Sequence, residues 1–281
     1  MKKFFNLFAF EYNRLTKILF PGLLIALGIE GAALCTKVYQ YTRSVKHVLL
    51  SNPTLSTDEV LTQVNGQFSV GGFFESPFLF FPLLGIAAIF VFYAIYTWYR
   101  DWFGKNTFIY RLLMLPVPRL FVYCAKVLAF LVGGLTALMA QFLAFYLFEK
   151  IVILLVAPEY LDPTPITLFI TSIMPSALFY SNEVIDIVSL FLSSISFLSV
   201  LFTMILAERS FRMKGLLAGA LLFGAYLASY VFVSTHSLFY TVFHFYLLPS
   251  EQLMGTLLVH TVWLILSAFI SRYLLEQKVT V

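Results

Sequence analysis

An all-α integral membrane protein with six transmembrane helices and an N-terminal amphipathic interfacial helix is what this sequence predicts, on three observations. Of its 281 residues 60% are hydrophobic and only 11% charged, against about a quarter in a soluble domain. The charges cluster, and the apolar stretches between them run to about 20 residues, enough to cross a hydrocarbon core of about 30 Å at 1.5 Å per residue. The basic residues, finally, fall unevenly between alternate connections, as the positive-inside rule requires of multi-pass chains. The net charge of +4 is dispersed over the ends of apolar runs. That is no footprint for nucleic acid.

Residues 1–17 make the first element. Phe4, Phe5, Leu7, Phe8, Leu15 and Ile18 recur at helical spacing, with Lys2, Lys3, Glu11, Asn13, Arg14 and Lys17 between them, so the helix is expected to lie in the interface plane. Lys2 and Lys3 precede no short apolar core with a small-residue cleavage site, and no signal peptide is read. Pro21-Gly22 predicts a bend, and residues 18–281 are expected to form a single six-span transmembrane domain.

The first span is expected at about 18–38. A polar stretch over 39–75 follows, with a short helix near 54–68 announced by Ser56-Thr57-Asp58-Glu59. Pro77 opens the second span (77–98), closed by Trp98, Tyr99 and Arg100. The third (120–148) is long enough to tilt or break, and Glu149-Lys150 at its end read as a snorkelling pair. A connection rich in proline (Pro158, Pro163, Pro165) leads to 166–182, an apolar stretch interrupted by Pro175 and read as an external re-entrant or interfacial segment. Spans at 184–206, 215–234 and 255–272 complete the six. With the N-terminus inside, Lys37, Arg43, Lys46 and Lys150 lie outside and every other Lys and Arg inside. A seventh span at 166–182 would carry the basic cluster 208–214 outside, against that bias. Both termini are therefore expected in the cytoplasm.

The chemistry-bearing candidates are few. Intramembrane ionisable groups are functional candidates because burying them costs about 2.5–3.5 kcal/mol on insertion scales. Glu30, beside Gly28 and Gly31, is the candidate for a translocation path. The plainer alternatives are a carboxyl satisfied by a neighbouring helix, or one near the outer interface. Glu183 and Asp186 read as N-terminal carboxylates of the fourth span. His47, His236, His244 and His260 have no metal-ligand spacing, and Cys35 and Cys124 fall in different apolar segments expected near opposite faces, which argues against a disulfide or a metal site. No His-Glu-x-x-His, Gly-x-Ser-x-Gly or paired acidic motif lies in a span, which argues against an intramembrane enzyme.

The most informative stretch is 98–126, WYRDWFGKNTFIYRLLMLPVPRLFVYCAK. It alternates charge with bulky apolar groups and places Phe108, Leu112 and Leu115 on one side of a short helix. Two readings stand: an interfacial helix anchored by Trp98, Arg100 and Trp102, or a helix docked in a groove of a cytoplasmic partner. With the N-terminal helix, the six spans and Leu112, Leu113, Pro116, Arg119 and Lys126 in the pattern Leu-Leu-x-x-Pro-x-x-Arg followed by Lys, the chain resembles the type-2 family of ABC transporter permeases.

The resemblance implies that 99–115 is a cytoplasmic coupling helix seated in a cleft of a separate ATP-binding cassette subunit, with 207–214 as a second contact. Arg100, Asp101, Trp102, Lys105, Arg111, Leu112, Arg209 and Arg212 would make those contacts. It further implies pairing with a second permease chain, as a homodimer or with a paralogue, in the plasma membrane. The sequence has no Gly-x-x-x-x-Gly-Lys-[Ser/Thr] loop, so ATP and Mg²⁺ are expected on the partner rather than on this chain. Small external loops, which argue against a large external substrate-binding protein, point to export, and the apolar, aromatic-rich composition favours an amphipathic or hydrophobic cargo such as a peptide, drug or lipid. Two other classes stay open: an ion-coupled secondary transporter, which needs midplane carboxylates and ideally an internal repeat, and a scaffold or sensor that recruits a partner without transport.

Overall fold

The computed structural model describes residues 2–74, 77–103, 109, 112, 114, 118–162, 184–235, 240 and 248–278. Among the described residues the regular structure is helical: α1 (Lys2–Ser51), α2 (Thr57–Gln63), α3 (Val70–Phe74), α4 (Pro77–Phe103), α5 (Leu120–Leu155), α6 (Val184–Phe211), α7 (Met213–Ser234) and α8 (Pro249–Tyr273). A π-helical turn, Leu274–Lys278, continues α8. Six of these helices are long and apolar enough to cross a membrane: α1, α4, α5, α6, α7 and α8. The fold is that of an all-α multi-pass membrane protein. The stretch 166–182, Glu183, His236 and His244 lie outside the described residues.

The largest departure from expectation is α1. It runs unbroken for 50 residues with Pro21 inside it, a contour of about 75 Å at 1.5 Å per residue. Residues 1–17 are thus not a separate element, and Pro21-Gly22 is no boundary. Proline removes one backbone hydrogen bond, which in water commonly ends a helix. Within an apolar environment no solvent competes for the freed carbonyl, and neighbouring packing carries the helix through. Leu15, Leu19, Leu23 and Ala26, on both sides of Pro21, are all buried. The polar stretch expected from 39 is likewise helical as far as Ser51.

The chain divides into two compact units, and α1, α4 and α5 contribute to both. The unit of 16–90 and 133–179 has a core of Leu34 and Val38 from α1, Val70 and Phe73 from α3, and Ala144, Phe145, Phe148, Val152 and Val156 from α5. Ser56 caps α2 as its sequence announced, with the Ser56 hydroxyl accepting from the Glu59 amide and the Glu59 carboxylate accepting from the Ser56 amide. Those hydrogen bonds to Ser56 hold the exposed Glu59 carboxyl below its ordinary value. Backbone pairing of Phe68 with Tyr160 and Asp162, at 2.8 and 3.1 Å, joins this segment to the stretch that follows α5. The Tyr41 hydroxyl donates into the same junction, lying 2.9 Å from Gly66 O and 3.2 Å from Tyr160 O.

The other unit holds 1–15, 91–132 and 180–281. Phe202 of α6 is its aromatic centre, fully buried, with Trp98, Tyr123 and Phe130 edge-on at 5.7, 6.1 and 5.7 Å. Trp98 is therefore a core residue with no exposed surface, and not the interfacial anchor expected. Helices α6 and α7 form a hairpin turned by a single residue, Arg212. Gly215 and Gly219, four apart, let the backbones close as small-xxx-small pairs do in membranes.

The two glycines give the fold a test. A Cβ at Gly215 would stand 1.9 Å from Ala207 O, whereas one at Gly224 of the same helix would meet nothing within 4 Å. Gly215→Ala is expected to lower the thermal unfolding temperature in detergent sharply. Gly224→Ala should leave it unchanged or raise it, the helix-propensity gain being up to about 1 kcal/mol. Equal behaviour of the two variants would show that the hairpin is not closed in this way.

Candidate functional site

Three helices bring four charges together in the second unit. Lys126, one to two turns into α5, is fully buried, and its ammonium donates to Glu11 Oε1 of α1 at 2.8 Å and to Asp101 Oδ2 of α4 at 2.6 Å. Its third proton faces Thr97 Oγ1 at 3.4 Å, and the Trp98 ring lies 5.2 Å away. Arg14, one turn after Glu11, donates to the other Asp101 oxygen at 2.8 Å and lies 3.5 Å from Glu11. Two carboxylates and two cations make the set neutral. Asp101 has no exposed surface and Glu11 only 4%.

Neither Asp101 nor Lys126 stands where its own helix favours it. Asp101 sits in the last turns of α4 and Lys126 in the first turns of α5, the ends at which the helix dipole disfavours those signs. Their attraction for each other, and for Glu11 and Arg14, has to offset that. What it achieves is placement: the last turn of α4 and the first turns of α5 are clamped to α1. Between them runs the 104–117 connection, part of the 98–126 stretch that the sequence singled out.

Further contacts hold the same region. Leu112 of the connection is buried with Leu7 of α1 and Val122 and Ala125 of α5, with Phe4 and Phe8 packed against them. The N-terminal apolar stripe thus faces protein, although Phe5 and Ile18 stay exposed. Tyr99 of α4 donates to the Glu208 carboxylate of α6. The Arg209 guanidinium covers the rings of Tyr99 and Phe103 at 4.5 and 4.3 Å. Arg119 donates to Leu275 O in the C-terminal turn at 2.7 Å.

The sequence-predicted site residues divide accordingly. Asp101 was expected to contact the ATP-binding subunit. Its two oxygens are instead taken by Arg14 and Lys126 inside the chain. Arg100 folds back along α4 onto Tyr93 and Tyr96, 5.8 and 5.3 Å from the ring centres. Trp102 is half-buried with its indole N–H unpartnered among the described residues. Arg209 is occupied as described, and Arg212 is exposed at the hairpin turn with φ 55°. Lys105 and Arg111, with most of the expected coupling helix, lie outside the described residues. Glu30 is buried on α1 and accepts from Gln141 of α5 at 2.7 Å.

Sequence reasoning did not find Glu11 and Arg14 as site residues, because it assigned them to the polar face of an interfacial helix. Their i,i+3 spacing of opposite charges was the available signal. A second polar cluster, Ser196, Tyr226 and His260, also went unread. It links α6, α7 and α8, with His260 Nδ1 3.0 Å from the Ser196 hydroxyl and 3.3 Å from that of Tyr226. Histidine here acts as interhelical glue. Among the described residues no three His, Cys, Asp or Glu side chains gather as metal ligands. Comparison of the chain with family models, curated proteins and solved structures returns no match.

Two outcomes are expected of substitutions here. Lys126→Met leaves Glu11 and Asp101 facing only Arg14, a buried imbalance that costs about 3–5 kcal/mol. Adding Glu11→Gln restores neutrality, so the double variant should unfold at a higher temperature than Lys126→Met alone. An additive further loss would dissolve the network. Arg212 holds a backbone conformation that side chains disfavour by about 1–3 kcal/mol. Arg212→Gly should therefore raise the unfolding temperature, and a fall would contradict the turn geometry.

Proposed function

We propose that this chain is the transmembrane subunit of an ATP-driven transporter, moving an amphipathic or hydrophobic cargo with energy from a separate ATP-binding subunit. The observation that carries the proposal is the clamp around the 104–117 connection. A loop that only joined two spans would need no buried four-charge set at its roots. A loop that transmits force would, because displacement must reach the helices before it dissipates in side-chain rearrangement. Through Asp101 and Lys126 a movement of the connection is delivered to α4, α5 and α1 together. Through Tyr99 and Phe103, against Glu208 and Arg209, it reaches α6 and the α6–α7 turn.

On this reading the connection is the coupling segment, with the exposed turn at Arg212 as a second contact, both on the cytoplasmic face of the plasma membrane. Lys105, Arg111 and Arg212 are its contact charges, setting register more than affinity. Asp101 and Arg100 act by positioning the segment from within. ATP and Mg²⁺ bind the partner, whose closure selects one of two arrangements of the helices. A second permease chain completes the assembly. The outward faces of α7 and α8, with Leu217, Leu221, Leu258, Val262 and Phe269 exposed, fit lipid or that second copy. The competing readings, ion-coupled transport and a non-transporting scaffold, lack an equivalent use for the clamp.

The test is co-purification in mild detergent from native membranes. A stoichiometric ATPase carrying a phosphate loop is expected with the wild type. It should be lost when Lys105, Arg111 and Arg212 are together replaced by Glu while the unfolding temperature is kept. If the folded wild type brings down no such ATPase, the transport-subunit reading fails. If the triple variant retains its partner in full, the contact lies elsewhere.

A further inference from the structure

Glu30 belongs to the other unit and takes no part in the four-charge set. It lies on the buried stripe of α1, with Ala26 one turn before it and Leu34 one turn after. Its partner Gln141 lies on the facing stripe of α5, with Ala137 before it and Ala144 and Phe145 after, all buried. Gln141 Nε2–H donates to Glu30 Oε2 at 2.7 Å. The two remaining oxygens, Glu30 Oε1 and Gln141 Oε1, are both buried and both without a hydrogen-bond donor. Among the described residues no charged side chain pairs with the carboxyl, and its one polar partner is Gln141.

An ionised carboxylate held this way would be charged, shut off from water and supplied with a single neutral donor. Among the described residues the other buried charges, Glu11, Asp101 and Lys126, are paired. What the pair lacks is a donor for its two unpartnered oxygens. A proton supplies it. We propose that Glu30 carries a bound proton in the folded chain, with Glu30 and Gln141 closing a reciprocal acid–amide pair. In that pair Gln141 Nε2–H donates to Glu30 Oε2 and Glu30 Oε1–H donates to Gln141 Oε1. The site is a proton-binding site, and it stands independently of the transport reading. A metal cation is a poorer ligand here, since two oxygens fall far short of the six to eight that a hard divalent ion such as Ca²⁺ takes.

Infrared spectroscopy of the purified chain near neutral pH tests this directly. Water-exposed carboxyls are ionised there, so a carbonyl stretch of a protonated acid reports a buried one. The wild type is expected to show that band, Glu30→Gln to lose it, and Gln141→Leu to keep it at higher frequency, as the acid loses its hydrogen-bonded partner. Glu30→Gln replaces the neutral acid by a near-isosteric amide. If it does not fold, the wild type against Gln141→Leu still decides. A wild-type spectrum without the acid band overturns the proposal, as does a band that Gln141→Leu leaves unmoved.

Discussion

Taking a charge out of water costs more than any single packing contact returns, and the arrangement of this chain is governed by how it meets that cost. Where Lys126 enters the protein it brings three further charges with it. Each depends on the others: Asp101 without Lys126 and Arg14 would be an isolated ion in an apolar surround, and Glu11 without Lys126 would be left with Arg14 alone, at 3.5 Å. The requirement that the set be complete fixes the register of α1, α4 and α5 against one another at that level. Apolar contacts alone would not, since Leu and Phe seams tolerate sliding by a turn. The apolar cluster of Leu7, Leu112, Val122 and Ala125 then packs in a register already chosen.

The same constraint explains why small and hydroxyl-bearing residues recur between α6, α7 and α8. Lipid tails are as apolar as leucine, so these helices are held by close approach and by hydrogen bonds. Gly215 and Gly219 supply the approach. Ser196, Tyr226 and His260 supply hydrogen bonds, as do Thr203 and Ser271, whose hydroxyls lie 2.8 Å apart. Arg209, stacked on Tyr99 and Phe103, extends the linkage to the last turn of α4. The last turn of α4 and the α6–α7 turn are thereby tied to the buried helices of this unit.

Much of the fold was legible because hydropathy registers burial in lipid directly: all six long apolar helices correspond to stretches read as spans, and the box at Ser56 announced α2. Errors arose where the rule assumed water. Pro21-Gly22 reads as a turn only if solvent is there to take the freed carbonyl. Glu11 and Arg14 read as a solvated face only if no partner exists elsewhere, and their partners are 87 to 115 positions away in the chain. Asp101 was singled out for its charge, but its pairing with Arg14 and Lys126 could not be read from its own surroundings in the sequence. Its neighbours Trp98 and Arg100 show the same limit, since one is core and the other lies back along its own helix. Glu30 was visible as an anomaly in an apolar run, but its meaning depended on Gln141, which carries no charge and gave no signal.

A bound proton at Glu30 and an ATP-driven reading of the chain do not compete. A carboxyl couples transport to a proton gradient only if its affinity for the proton differs between two conformations. That requires a second environment, with water or a cation, that Glu30 enters when the helices move. In the arrangement seen, Glu30 and Gln141 lie between apolar neighbours on two packed helices, and the proposed proton completes their pair without any further group. Such a pair resists rotation of α1 against α5, because turning either helix strands an amide and an acid in hydrocarbon. It therefore specifies which faces of the two helices meet in this unit, as the four-charge set does in the other, and it does so without a net charge. The chain thus fixes helix orientation twice, by ion pairing where four charges converge and by protonation where a single carboxyl stands alone.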